Sequence, residues 1–168
     1  LLVTGAARGL GFEFGRAAVE AGATVVIADI LEERGRESAA SMGARFVPLD
    51  LANPASVQRC AEEAAGMMGG LDGLLNNGAI ATGIGGKLMA DIDAATWDRV
   101  MTVNVRGTWL MTVAATPFLK ASGKGKVLNL ASDTALWGAP RLMHYVASKG
   151  AIIAMTRSMA RELGDHGI

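Results

Sequence analysis

The chain has 168 residues, 51% of them hydrophobic and 19% charged, a composition that supports a buried core and excludes disorder. Lys plus Arg and Asp plus Glu number 16 each, so nothing in the charge indicates a nucleic-acid partner or an anionic membrane surface. Charged residues or Gly interrupt every apolar run before it reaches the length of a membrane helix. Cys60 is the single cysteine, which excludes an internal disulfide and favours a cytoplasmic location.

In chain order, apolar runs alternate with helical patterns, and the alternation predicts a doubly wound parallel α/β sheet, the three-layer Rossmann fold. The strand patterns are apolar without a period of two, as is typical of parallel strands covered on both faces. The predicted elements are strand Leu1–Thr4, helix Leu10–Ala21, strand Thr24–Asp29, helix Leu31–Met42, strand Arg45–Leu49, helix Pro54–Met68, strand Leu71–Asn76, a helix from about Ala94 to Leu119, strand Lys126–Ala131 and a helix from about His144 to Leu163.

Helix ends have their own signals. Gly22 and Gly43 follow the first two helices, and Asn53 is a suitable N-cap for the third. Pro117 is expected to kink or end the fourth.

The chain reads as one domain, residues 1–168, that is truncated at both ends. Leu1 falls inside a strand pattern, and Leu1 to Gly5 lack the charged region and cleavage site of a signal peptide. The final residues, His166 to Ile168, follow a helix where a further strand is expected.

A glycine-rich loop joins the first strand to the first helix. It runs from Thr4 to Gly11 with the spacing Gly-x3-Gly-x-Gly. Glycines allow a sharp turn and close approach of the backbone to a pyrophosphate, which sits at the helix N-terminus. The loop residues expected to contact a dinucleotide are Gly5, Arg8, Gly9, Leu10 and Gly11.

An acidic residue ends the second strand, at the distance that strengthens this motif. The Asp29 carboxylate can accept hydrogen bonds from the adenosine ribose hydroxyls and would repel the 2′-phosphate of NADP. Ile30 follows it in the predicted cofactor site. Arg8 could instead meet a 2′-phosphate, and Asp29 could be a solvated acid or a helix cap. The combination favours NAD over NADP.

Two further turns follow predicted strands. Asp50 and Leu51 are expected near the adenine, although a turn before the next helix is nearly as good an explanation. Asn77 and Gly78 end the fourth strand and are expected at the ribose, although Asn-Gly is also an ordinary turn signal.

Residues suited to proton transfer follow the fifth strand. Tyr145 and Lys149 are four residues apart and share a helical face. A free tyrosine titrates near pH ~10, and lowering its pKa by roughly three units requires about 4 kcal/mol of stabilisation of the phenolate. A nearby ammonium and a cationic nicotinamide in a partly dry cleft can supply it. Ser132, at the predicted strand end, would hydrogen-bond the reacting oxygen.

These motifs resemble the short-chain dehydrogenase/reductase family over the whole chain, Leu1 to Ile168. The resemblance implies that Tyr145 is the general acid/base, that Lys149 lowers its pKa and holds the nicotinamide ribose, and that Ser132 orients the substrate oxygen. It also matches Asn104 to the family Asn that opens a helix and anchors a water of the proton relay.

The chain departs from the family pattern at one turn. The family usually has Asn-Asn-Ala-Gly where this chain has Asn76-Asn77-Gly78-Ala79. Ala tolerates a positive φ poorly, which puts the usual backbone angles in question here. A second departure is the absence of the family's later strands and substrate-covering loop.

Substrate and partners are less defined. Leu136, Trp137, Met143 and His144 lie between Ser132 and Tyr145 and suggest an apolar, cyclic or aromatic alcohol or ketone as the substrate.

His144 and His166 lack the neighbours that a metal site needs, so no metal is expected. The fourth and fifth helices are apolar on more than one face, and the family pairs them into homodimers and homotetramers.

The function expected from these residues is hydride transfer between NAD and an alcohol/carbonyl pair. A catalytically silent NAD-binding regulatory module of the same fold is the alternative. A related halohydrin-cleaving lyase is disfavoured, because such relatives have Arg in place of Lys149 and a disrupted glycine loop.

Overall fold

Five parallel strands form one sheet in the order β3-β2-β1-β4-β5 in the computed structural model, which describes residues 1–168. The strands are β1 (Leu2–Thr4), β2 (Val26–Asp29), β3 (Arg45–Pro48), β4 (Gly73–Asn76) and β5 (Lys126–Asn129). The predicted doubly wound α/β fold is confirmed. Each strand is one or two residues shorter than its apolar run, because the run extends beyond the paired residues: Leu71 precedes the first pair of β4, and Leu49 follows the last pair of β3.

Seven α-helices accompany the sheet: α1 (Gly9–Glu20), α2 (Glu32–Met42), α3 (Pro54–Met68), α4 (Ala94–Met101), α5 (Thr108–Ser122), α6 (Thr134–Trp137) and α7 (Met143–Leu163). Asn53 caps α3 as predicted, since its side chain accepts from the N–H groups of Ala55 and Ser56. The short helix α6 was not predicted. None of the helices combines the length and the apolarity needed to cross a membrane.

The predicted fourth helix is interrupted. Between α4 and α5 the segment Thr102–Gly107 winds as a π-helix. Pro117 lies inside α5, which continues to Ser122, so of the two outcomes expected for Pro117, a kink or a helix end, the helix end is wrong. Proline removes one backbone N–H donor, but buried side chains on both sides of it, such as Ala115 and Leu119, pack in the core and hold the helix together.

Side chains of the central strands alternate between two cores. Leu2 and Val26 pack in one with residues of α3 and α5, whereas Val3 and Ile27 pack in the other with Met42 of α2. The alternation confirms three layers. The expectation that the strands are covered on both faces fails at β5, which pairs only with β4 and leaves 54% of Leu128 exposed.

The carboxyl ends of β1, β4 and β5 lie side by side in this topology. The glycine loop follows β1, the Asn76-Asn77 turn includes and follows the end of β4, and Ser132 comes three residues after β5. The parallel sheet therefore gathers the predicted site residues at one edge, where ligands of such folds bind.

Candidate active site

The glycine loop is held against the sheet by its own backbone. Gly5 has φ +64° and donates its N–H to Ala28 O at 2.7 Å. A Cβ on Gly5 would lie 2.4 Å from Gly78 Cα, and one on Gly11 would lie 2.4 Å from Gly5 O. Gly9 has free space around it but a φ of +60°. Two of these glycines are therefore needed for close packing, and Gly9 for its backbone conformation.

Asp29 braces the loop. Its Oδ2 accepts from Ala7 N and its Oδ1 from Leu31 N, each at 3.0 Å. The side chain is only 9% exposed. A carboxylate has about four acceptor positions, so the two backbone contacts leave capacity for ribose hydroxyls. The local turn role and the predicted binding role are thus compatible at the same carboxylate.

Hydrogen bonds join the turn after β4 to the glycine loop. Thr4 Oγ1 accepts from Asn77 N at 3.1 Å and from Gly78 N at 3.0 Å. Asn77 Nδ2 donates in return to Thr4 O and Gly5 O. Sequence reasoning missed that Thr4 and the Asn77 amide shape the loop.

The transposed Gly78-Ala79 pair causes no strain. Neither residue has a positive φ, and Arg141 is the one non-glycine residue that does. The concern about the backbone angles is therefore removed. A Cβ on Gly78 would come within 2.8 Å of Leu51 Cδ1, so glycine here permits the close contact with the neighbouring side chain.

Asp50 forms a turn before helix α3, the second of the two roles expected for it from the sequence. Its Oδ1 accepts from Ala52 N at 2.8 Å. Leu51 is buried in the core. Contact of this pair with adenine stays a prediction. Of the remaining cofactor candidates, Leu10 and Ile30 are more than half exposed, and Arg8 is exposed and forms no ion pair.

Tyr145 and Lys149 lie together on α7. The Lys149 Nζ is 5.7 Å from the centroid of the Tyr145 ring, and the lysine is 4% exposed. Burial lowers the pKa of Lys149 to about 8, because a charged ammonium is poorly solvated there. Its Nζ donates to Leu130 O at 2.6 Å, which connects α7 to the chain just after β5.

Ser132 lies in the loop before α6 rather than at the end of a strand, since β5 ends at Asn129. Its Oγ accepts from Thr134 Oγ1 at 2.9 Å and is 3.3 Å from Asp133 Oδ1. No hydrogen bond joins Ser132 to Tyr145. The contacts fix the hydroxyl locally and leave its predicted role toward a substrate oxygen as a prediction.

Asn104 lies in the π-helical segment and is 1% exposed. Its Oδ1 accepts from Ile80 N at 2.7 Å, and its Nδ2 donates to Ile80 O and to Ser148 Oγ, both at 3.1 Å. A poor helix residue is thus placed where the helix is widened and its amide reaches other segments. Sequence reasoning missed Ser148, although its position directly before Lys149 in the Tyr-x3-Lys motif was a visible signal.

The expected substrate wall is only partly accessible. Leu136, Trp137 and Met143 are exposed, at 78%, 62% and 44%. His144 is fully buried, and neither of its ring nitrogens has a hydrogen-bond partner. Placing His144 in an open substrate wall is therefore wrong: its side chain points into the protein. No group of three His, Cys, Asp or Glu side chains is arranged to hold a metal.

The fold is a Rossmann-type α/β domain with a glycine-rich loop after β1 and a Tyr145-Lys149 pair on α7. The profile of the short chain dehydrogenase family matches residues 1–168. The chain belongs to this family.

Curated relatives cover the whole chain. It is 38% identical over 169 residues to a 3-alpha-(or 20-beta)-hydroxysteroid dehydrogenase of Mycobacterium tuberculosis, over 99% of this chain and 64% of the relative. It is also 38% identical to a sorbitol dehydrogenase of Cereibacter sphaeroides and to a galactitol 2-dehydrogenase of Agrobacterium fabrum, over 99% of this chain and 65% of each relative. The chain spans a little under two thirds of the length of these proteins.

Proposed function

We propose that residues 1–168 form a single NAD-binding domain of an oxidoreductase that transfers a hydride between NAD and an alcohol/carbonyl pair, with Tyr145 as general acid/base. The observation that carries the proposal is the buried Lys149 ammonium, 5.7 Å from the Tyr145 ring. A cation in a site of low dielectric stabilises a neighbouring phenolate far more than one in water. Family membership and the names of the dehydrogenase relatives support the same reaction class.

Side chains of the protein would carry out the proton transfer. Bound NAD supplies the hydride acceptor. Tyr145, as phenolate, takes the hydroxyl proton of the alcohol, and in the reverse direction returns it to the carbonyl oxygen. The Ser132 hydroxyl hydrogen-bonds that oxygen and orients it, and Lys149 holds the phenolate and the ribose. Asn104 fixes the widened helix beside them.

NAD is the proposed cofactor, in preference to NADP, because a carboxylate ends β2. Asp29 is held by two backbone N–H groups, so it cannot easily move away from a 2′-phosphate, and like charges repel. Arg8 is the one residue that favours NADP, since its exposed guanidinium has no acidic partner and could meet a 2′-phosphate. The glycine loop lies at the N-terminus of α1, and the free space around Gly9 fits a pyrophosphate there.

The proposed substrate is an apolar secondary alcohol or the matching ketone. Leu136, Trp137 and Met143 supply exposed apolar surface in the segment between Ser132 and Tyr145. The relatives differ in the polarity of the substrates in their names, which are hydroxysteroids in one case and sugar alcohols in the others. Cyclic alcohols are therefore the first compounds to compare with polyols.

The proposed assembly is a cytoplasmic homodimer or homotetramer formed through α4, α5 and α7. A groove of about 570 Å³ runs between these helices. Its apolar lining includes Met101, Trp109, Met155 and Met159, with Arg106 and Glu162 also lining it. Charges of both signs in one apolar groove suit a self-complementary contact between two copies.

The test is NADH formation, followed by absorbance, with NAD and NADP offered separately and with cyclic, aromatic and polyol alcohols as substrates. We expect turnover with NAD and with cyclic alcohols ahead of polyols. Faster turnover with NADP would show that Arg8 outweighs Asp29. Tight NAD binding without turnover of any alcohol or ketone would instead favour the silent regulatory module.

A further inference from the structure

Ser148 links two segments of the candidate site. The side chain is fully buried. Its Oγ donates to Tyr145 O at 2.7 Å and accepts from Asn104 Nδ2 at 3.1 Å. Nothing basic contacts the hydroxyl, so it has no means of acting as a nucleophile. Its position between the two segments is the feature that requires explanation.

The direction of these bonds follows from the atoms. A carbonyl oxygen only accepts, so the single proton of the Ser148 hydroxyl must point to Tyr145 O. The hydroxyl can then only accept from Asn104, which requires the Nδ2 end of that amide. The backbone of Ile80 requires the same orientation of the Asn104 amide, because its N–H donates to Oδ1 and its C=O accepts from Nδ2. All four contacts select one orientation of the Asn104 amide.

We propose that Ser148 is a positioning residue that ties the π-helical segment, through Asn104, to the turn of α7 that carries Tyr145 and Lys149. The proposal rests on the proposed function for its effect on catalysis. The two bonds to Ile80 fix Asn104 to the loop after β4. The π-helical segment also packs against α7, and the bond to the Ser148 hydroxyl is the one hydrogen bond that fixes the Asn104 side chain to that helix.

The test compares Ser148→Ala with Ser41→Ala. Ser41 Oγ donates to Ser38 O at 2.8 Å, the same bond to a carbonyl three residues earlier that Ser148 makes, but no second group donates to it. Losing one neutral hydrogen bond corresponds to about a 3- to 10-fold effect. We expect kcat to fall by about that factor in Ser148→Ala, with KM for NAD nearly unchanged and with Ser41→Ala equal to wild type.

A second readout does not depend on turnover. The chain has only five asparagines, so selective ¹⁵N-asparagine labelling gives few side-chain signals. In wild type, the Asn104 amide protons should exchange with solvent far more slowly than those of exposed Asn53. In Ser148→Ala, at least one of them should exchange faster.

The two readouts separate the two proposals. If the wild-type protein oxidises no alcohol, the proposed function fails, and amide exchange alone decides the role of Ser148. Unchanged Asn104 exchange in Ser148→Ala, or an unprotected Asn104 in wild type, overturns it. If Ser148→Ala does not fold, Ser148→Cys keeps a γ atom at this position but makes it a weaker acceptor. Asn104 exchange identical to wild type in that variant overturns the proposed link between Asn104 and α7.

Discussion

Lys149 carries the strongest electrostatic perturbation among the predicted catalytic residues. Burial lowers its pKa from 10.5 to about 8. Between these values the unfolded chain binds the proton and the folded chain releases it, so the free energy of unfolding rises with pH. Below pH about 8 both states are protonated, and the full penalty of the buried ammonium remains.

We therefore expect wild type to gain stability relative to Lys149→Met as the pH rises from about 8 to 10.5. Each pKa unit corresponds to about 1.4 kcal/mol, so the relative gain should be about 2–3 kcal/mol. Urea unfolding of both proteins across this range measures it. A constant difference between the two proteins would show that the lysine is not desolvated.

Gly11 provides a second test at the scale of single residues. An added Cβ would collide with Gly5 O and with Asn77 Nδ2, at 2.4 and 2.5 Å. Overpacking of this kind costs about 1–3 kcal/mol, and it would displace the glycine loop. We expect Gly11→Ala to weaken NAD binding about 10- to 100-fold by isothermal titration calorimetry. Gly66→Ala, a helical glycine with nothing nearby, is the control, and equal affinities in both variants would contradict the account.

Residue types and spacing predicted where the glycine loop, Asp29, Tyr145 and Lys149 lie, because each follows an identifiable strand or helix signal. Spacing did not predict what their side chains contact. Asn104 bonds Ile80 and Ser148, which are 24 and 44 residues away. Such partners depend on how helices pack, and no local pattern encodes that packing.

Among the elements, the sheet and two helices are joined by a row of polar side chains that are buried or half-buried. Asn76 Nδ2, on β4, donates to Thr112 Oγ1 of α5 and to Asn129 Oδ1 of β5. Asn129 Nδ2 donates in turn to Thr156 Oγ1 of α7 at 2.9 Å. These bonds fix α5, which directly follows the segment carrying Asn104, and α7, which carries Tyr145, against the strand ends.

Thr156→Val removes the one acceptor of Asn129 Nδ2 and leaves a partly buried donor without a partner. Such a loss costs about 1–3 kcal/mol. Thr116→Val is the matched control, because Thr116 makes the same bond to a carbonyl four residues earlier and accepts nothing. We expect Thr156→Val to be the less stable of the two by that amount in urea unfolding. Equal stabilities would mean that the bond between Asn129 and Thr156 contributes nothing.

The type and order of the main elements were predictable, since the strands of this fold are short apolar runs, whereas the helices have a helical pattern with recognisable end signals. The π-helical segment was not, because Ala94 to Leu119 is one continuous helical pattern. A π-helix has more residues per turn than an α-helix. Here the wider turn is stabilised by tertiary contacts, with α7 and with the loop after β4, and these cannot be read from local sequence. The same cause explains why α5 continues past Pro117.

At the scale of the whole molecule, helix α5 exposes large apolar side chains. Trp109 and Val113, on α5, are 49% and 52% exposed. Unpaired apolar surface of this kind is typical of interfaces. Trp109 also lines the groove between α5 and α7, which is where the proposed contact between copies falls.

Trp109→Glu should therefore produce monomers, since it places a charge in the proposed interface. Light scattering with size-exclusion chromatography measures the mass of wild type and variant. Leu136→Glu, on α6 and away from the groove, should leave the assembly intact. A monomeric wild type, or an unchanged Trp109→Glu assembly, would refute this contact.

The most direct test of the central claim is NAD-linked alcohol oxidation by Tyr145→Phe. The substitution removes only the phenolic oxygen, and general acid–base groups contribute about 10²- to 10⁴-fold. We expect a loss of kcat within that range, with the affinity for NAD preserved. Turnover by Tyr145→Phe at the wild-type rate would contradict the assignment of Tyr145 as the proton-transferring group.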